Sequence, residues 1–82
     1  MTSHPIDWKL TPIADLDRHK FTGRTIEGQT LTGYLAYEPR TPHGPACFDL
    51  DYMSEIIEQH PAGHNTLHPT YQWITVYKET KP

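Results

Sequence analysis

The sequence predicts a mainly β chain, folded as a small barrel of about five strands with one or two short helical turns. Three observations predict it. Phe21–Tyr37 reads as a β-hairpin whose second arm carries Gly33 at a place where a barrel strand coils over itself. Ala46–Tyr52 and Tyr71–Lys78 alternate or enrich β-formers as strands do. The eight prolines fall mainly between these runs, at Pro5, Pro12, Pro39, Pro42, Pro45, Pro61 and Pro69 among others. With 82 residues there is room for one domain, residues 1–82, with loose termini at 1–6 and 79–82.

In chain order, Trp8–Ile13 predicts a short first strand that Pro12 ends or keeps at an edge. Ala14–His19 predicts one helical turn, with Asp15 and Asp17 placed well near its start. In the hairpin, a two-residue turn at Glu27-Gly28 puts Ile26, Leu31, Leu35 and Tyr37 on one face with Gly33. Phe21, Thr25, Thr30, Thr32, Tyr34 and Ala36 then share the other face. Glu38–Pro45 holds three prolines and a glycine and is a stiff loop. Along Ala46–Tyr52, the residues Ala46, Phe48, Leu50 and Tyr52 face one way and Cys47, Asp49 and Asp51 the other. Residues 53–59 favour a short helix by the spacing of Met53, Ile56, Ile57 and His60, which gives an α+β alternative. As a strand, the segment would send Ile56 and Ile57 to opposite faces. His60–Thr70 is a second long loop, and Tyr71–Lys78 is the last strand, partly apolar on both faces.

The run Thr25-Ile26-Glu27-Gly28-Gln29-Thr30-Leu31-Thr32-Gly33-Tyr34-Leu35-Ala36-Tyr37 resembles the first motif of Sm-like proteins. A helical turn before that hairpin also fits the wider SH3-like barrels. The resemblance implies a small β-barrel and, in the RNA-binding members, an aspartate and an asparagine in the loop after this strand. Here that loop opens Glu38-Pro39-Arg40-Thr41, and the basic residue–glycine pair of the second Sm motif is missing near the C-terminus. The resemblance therefore carries the barrel and no RNA-contact residue. In size and style the chain is also similar to the short accessory proteins that bacteriophages encode, which implies a host cytoplasm.

The chemistry is sparse. A single cysteine, Cys47, forms no internal disulfide and no multi-cysteine zinc site, which fits a reducing cytoplasm. No apolar run has the length of a signal peptide or a membrane span, so no membrane partner is expected. The net charge of −3 offers little to a polyanion. No catalytic motif is present: Asp49, Asp51 and Glu55 read as a solvated acidic face, and Cys47 has no base beside it in sequence. A non-enzymatic module without a cofactor is expected, acting on a protein partner or on a second copy of itself. Tyr34, Arg40, His43, Tyr71, Trp73 and Tyr77 are its candidate contacts, because interfaces favour tyrosine, tryptophan and arginine and the proline-stiffened loops are preordered. Two alternatives stand beside it. Arg18, Lys20 and Arg24 form a basic cluster for nucleic acid, weakened by Asp15, Asp17 and Glu27. His60, His64 and His68 recur every four residues and form a candidate metal or small-ligand loop, although Pro61, Gly63 and Pro69 forbid a continuous helix there.

Overall fold

The computed structural model describes residues 4–82. Strand pairing accounts for most of them, as the sequence predicts. Seven strands form one antiparallel sheet: β1 (Pro5–Ile6), β2 (His19–Thr25), β3 (Thr30–Glu38), β4 (Ala46–Asp49), β5 (Glu55–Gln59), β6 (Asn65–Leu67) and β7 (Tyr71–Thr80). Their order is β1-β7-β2-β3-β4-β5-β6, and the sheet curls into a half-barrel. Four of the expected strands are present, as β2, β3, β4 and β7; β1, β5 and β6 are additional, and β1 and β6 are short and lie at the sheet edges. β1 falls in the stretch expected to be a loose tail, of which Met1–Ser3 lie outside the described residues; β6 falls inside the second loop. At the other end β7 runs on to Thr80, so Glu79 and Thr80 belong to the sheet and not to a tail. Trp8–Thr11 is a turn rather than a strand, closed by the Asp7 carbonyl accepting from Leu10 and Thr11 N–H at 3.2 and 3.1 Å.

The expected helical turn is a 3₁₀ turn at Ile13–Leu16. Ile13 and Leu16 are buried and cap one end of the sheet. The turn is tied to β3 by Arg18 N–H donating to Leu35 O at 2.8 Å and Tyr37 N–H donating to Asp17 Oδ1 at 2.8 Å.

The hairpin is present, but its register differs by one residue from the two-residue turn. Thr25 N–H donates to Gln29 O and Gly28 N–H donates to Thr25 O, each at 2.9 Å, so the loop has three residues, Ile26-Glu27-Gly28. Gly28, at φ 93°, takes the left-handed position that such loops require. Side chains alternate with a period of two, so one extra loop residue exchanges the faces of the first arm. Phe21 pairs with Gly33 and is fully buried, whereas Ile26 is 62% exposed.

Two further expectations are corrected. Along β4 the buried residues include Cys47 and Asp49, while the strand ends at Asp49 and Tyr52 is exposed. Asp49 tolerates burial because its Oδ1 accepts the N–H groups of Asp51 and Tyr52 at 2.8 and 3.2 Å, which turns the chain out of the sheet. Residues 53–59 contain no helix. β5 pairs Cys47 with Ile57 but Phe48 with Glu55, so Ile56 is the extra residue of a β-bulge. The bulge buries both Ile56 and Ile57, which a regular strand would have sent to opposite faces. Their helix-like spacing is the trace of that bulge.

The core consists of Phe21, Leu35, Cys47, Ile56, Ile57, Ile74 and Val76 from the strands, with Trp8, Ile13, Leu16 and Tyr71 around them. β1 and β6 are the sheet edges, and the Trp8–Thr11 turn that follows β1 is joined to β6. Asn65 holds this segment: its N–H donates to Lys9 O at 2.9 Å, and its side-chain amide donates to Trp8 O at 2.5 Å and Thr11 O at 2.8 Å.

Candidate functional site

The sheet has an outer face that gathers residues from two of the sequence-derived groups. In β7, β2 and β3, one set of alternating side chains packs inward: Ile74 and Val76, Phe21 and Gly23, Gly33 and Leu35. The opposite set faces out: Trp73, Thr75 and Tyr77 on β7, Lys20, Thr22 and Arg24 on β2, and Thr30, Thr32 and Tyr34 on β3. Register puts these in rows across the sheet. Arg24 lies between Trp73 and Thr30, Thr22 lies between Thr75 and Thr32, and Lys20 stands opposite Tyr34. Thr22 and Thr32 join their hydroxyls at 3.2 Å. Trp73 is 43% exposed. Beyond it the surface dips into a groove of about 330 Å³ lined by Trp8, Lys9, Leu67, Gln72, Trp73 and Ile74. Pairing of β1 with β7 stops at Ile6 opposite Val76, so the earlier half of β7 borders that groove.

Tyr34, Trp73 and Tyr77 therefore lie on one face, as do Lys20 and Arg24. Lys20 is paired with Glu79 (3.4 Å), and Lys81 lies over the Tyr34 ring at 5.7 Å. Arg18 is exposed at the start of β2, at φ 66°, and its carbonyl accepts from Lys81 N–H at 2.8 Å. Tyr71 leaves the group. A register shift between Arg24 and Thr25 turns it inward, to 6% exposure. Burial pushes its phenol up; the Ser54 hydroxyl opposes this and the Asp49 charge adds to it. Arg40 and His43 are exposed in the loop after β3, away from these rows, where His43 N–H donates to Thr41 Oγ1 at 3.3 Å.

The three histidines do not form one donor set. His60 and His64 stack across the β5–β6 turn with ring centroids 4.6 Å apart, and His60 N–H donates to His64 O at 2.7 Å. His68 lies instead with Glu55 and Glu58. Its Nε2 is 3.5 Å from Glu55 Oε2, and donor atoms of the three residues lie within 4.8 Å of one another. Burial and a hydrogen bond to Glu58 push the Glu55 carboxyl above its ordinary range, the Glu58 charge adds to this, and His68 and His43 pull it back. Sequence reading missed Glu58 because only the bulge brings it to the same face as Glu55. The adjacent apolar pair Ile56-Ile57 between two glutamates was the available signal.

Cys47 is fully buried, with Sγ 3.6 Å from Ile13 O. Burial, aided by the Asp17 charge, pushes its thiol up to about 12, so it is no nucleophile near neutral pH. Among the described residues no helix is long and apolar enough to cross a membrane.

The chain matches no protein-family model, no curated protein and no solved structure. Its class is set by the fold alone: a small all-β domain whose single antiparallel sheet curls into a half-barrel.

Proposed function

We propose that this protein is a non-enzymatic small-barrel interaction module, akin to Sm-like and SH3-like barrels in build, that binds another protein through the outer face of β7, β2 and β3. One observation carries the reading: Trp73 and Arg24 share one row of a sheet face and Tyr34 stands on the same face beyond the threonine row, beside a groove that Trp73 also lines. Tryptophan, tyrosine and arginine dominate the energetics of protein interfaces because each buries a large, stiff surface and keeps a polar handle. The threonines between them give a flat, hydrogen-bonding floor.

Affinity purification from cell lysate followed by binding measurements on the purified partner tests the proposal. Trp73→Ala and Arg24→Ala are expected to weaken binding about 30-fold or more, the scale of an interface hot spot. Thermal unfolding of Arg24→Ala should stay close to wild type. Light scattering distinguishes a second copy of this chain from a foreign partner. Absence of any reproducible partner, or binding that both variants leave intact, overturns the proposal. Binding of single-stranded RNA at low salt that Lys20→Ala and Arg24→Ala abolish would favour a nucleic-acid ligand on the same face.

A further inference from the structure

We infer that Glu55, Glu58 and His68 form a binding site for a divalent metal ion of the zinc class. The site lies apart from the outer face of β7, β2 and β3 and does not depend on what binds there.

Three elements assemble it. The bulge at Ile56 sets Glu55 and Glu58 on one face, three residues apart. His68 follows β6, and its N–H donates to Ile56 O at 2.8 Å, which locks the imidazole-bearing turn to the middle of β5. The imidazole is oriented from its far side: His68 Nδ1 lies 2.9 Å from Thr70 Oγ1. Nδ1 also accepts the Thr70 N–H at 3.3 Å, which fixes the ring with Nε2 toward Glu55; binding a metal at Nε2 moves the ring proton to Nδ1, where the Thr70 hydroxyl is placed to accept it. The group is partly shielded, with the His68 and Glu55 side chains 28% and 17% exposed.

The electrostatics favour a cation. Two carboxylates gathered with an imidazole so that their donor atoms lie within 4.8 Å of one another repel unless a cation stands between them. A divalent ion there satisfies both oxygens and the imidazole at once. The donor set chooses the ion. Calcium and magnesium take oxygen ligands almost alone, whereas one imidazole with two carboxylates suits zinc. Zinc bonds of about 2.1 Å in a tetrahedron place donors about 3.4 Å apart. Donor atoms already lie within 4.8 Å of one another, so about 1.4 Å or less per pair remains to be closed. Three protein donors leave a fourth position for water or for a ligand from a partner.

Calorimetric titration of chelator-treated protein with zinc chloride tests the site, with magnesium chloride as the contrasting ion. The expected result is one zinc per chain, and no comparable binding of magnesium. Loss of an outer orienting partner alone typically weakens metal binding about tenfold or more, so Glu55→Gln and His68→Gln should each weaken zinc binding by at least that. The double variant His60→Gln with His64→Gln should bind as wild type does. On the wild-type protein, imidazole nitrogen resonances decide the matter independently of how the variants fold: zinc should shift those of His68 and leave those of His60 and His64. No zinc binding, binding unaffected by Glu55→Gln and His68→Gln, or a shift confined to His60 and His64 overturns the site.

Discussion

Asn65 ties β6 to the Trp8–Thr11 turn. It is 3% exposed, and its amide donates to two main-chain carbonyls of a segment more than fifty positions earlier in the chain. No element of regular structure satisfies those carbonyls in its place. Removing a donor from buried acceptors costs about 1–3 kcal/mol, because the acceptors have already given up water. Asn65→Ala is therefore expected to destabilise the fold by about 1–3 kcal/mol. With a urea slope of about 1 kcal/mol per molar for a chain this small, the midpoint should fall by roughly 1 M or more. An unchanged midpoint would mean that the burial of Trp8 and the main-chain bond from residue 65 to Lys9 O suffice to hold Trp8–Thr11. Nothing in the sequence marks Asn65, since an asparagine in a proline- and glycine-rich stretch reads as a turn residue. Its value comes from contacts far away in sequence.

At the scale of elements, two glycines exchange importance. Gly33 is the one that the hairpin pattern singles out, yet a Cβ there would meet Phe21 Cε1 at 3.4 Å, an ordinary contact. Gly23, on the partner strand, has no such room: a Cβ would lie 2.7 Å from Ile74 Cγ2 and 3.1 Å from the Trp73 main-chain oxygen. The main chain of β7 cannot yield without disturbing its ladder with β2. Gly23→Ala should cost about 1–3 kcal/mol, as overpacking does, while Gly33→Ala should stay within about 1 kcal/mol of wild type because alanine loses less entropy in a strand. Denaturant unfolding of the two variants checks the order, and a reversed order would show that β2 and β7 move apart freely. The same hairpin shows how far the sequence is legible. The hairpin arms, β4, β7, the loop after β3 and the turn before β2 follow from local properties and could be read, whereas Trp8–Thr11 is a turn where a strand was expected and β1, β5 and β6 were not foreseen. Register is not local. One additional loop residue at Ile26-Glu27-Gly28 moved Phe21 into the core and Ile26 out of it, and the bulge at Ile56 disguised β5 as a helix. The outer face was half legible for the same reason. Trp73 and Tyr34 could be named as candidate contact aromatics, but the pairing of Trp73 with Arg24 and of Tyr34 with Lys20 depends on register across three strands.

Across the whole molecule, a half-barrel of this size has a small core, and its stability is of the order of 5–10 kcal/mol. A single buried ionisable group is then felt globally. Cys47 is such a group: it is fully buried, and burial pushes its thiol from 9.0 to about 12. In the unfolded chain the thiol ionises near its ordinary value; in the folded chain it keeps its proton. Between those two values the native state binds one more proton than the unfolded state, so stability must fall as pH rises. One proton corresponds to about 1.4 kcal/mol per pH unit, beginning near pH 9 and levelling off near pH 12, where the folded thiol itself ionises. Burial of Tyr71 acts in the same direction at the upper end of this range, since its phenol is also pushed up. Cys47→Ala keeps the site small and apolar and removes the ionisation. Urea unfolding measured from pH 8 to pH 11 should show wild type losing stability more steeply than Cys47→Ala, with the slopes differing by up to about 1.4 kcal/mol per unit. Modification by a thiol reagent at pH 8 should proceed only as fast as the native protein opens, since a buried, protonated sulfur is not a nucleophile. Equal slopes in the two proteins, or rapid modification of the folded chain, would mean that water reaches Cys47 and that the core between the Ile13–Leu16 turn and β4 is open.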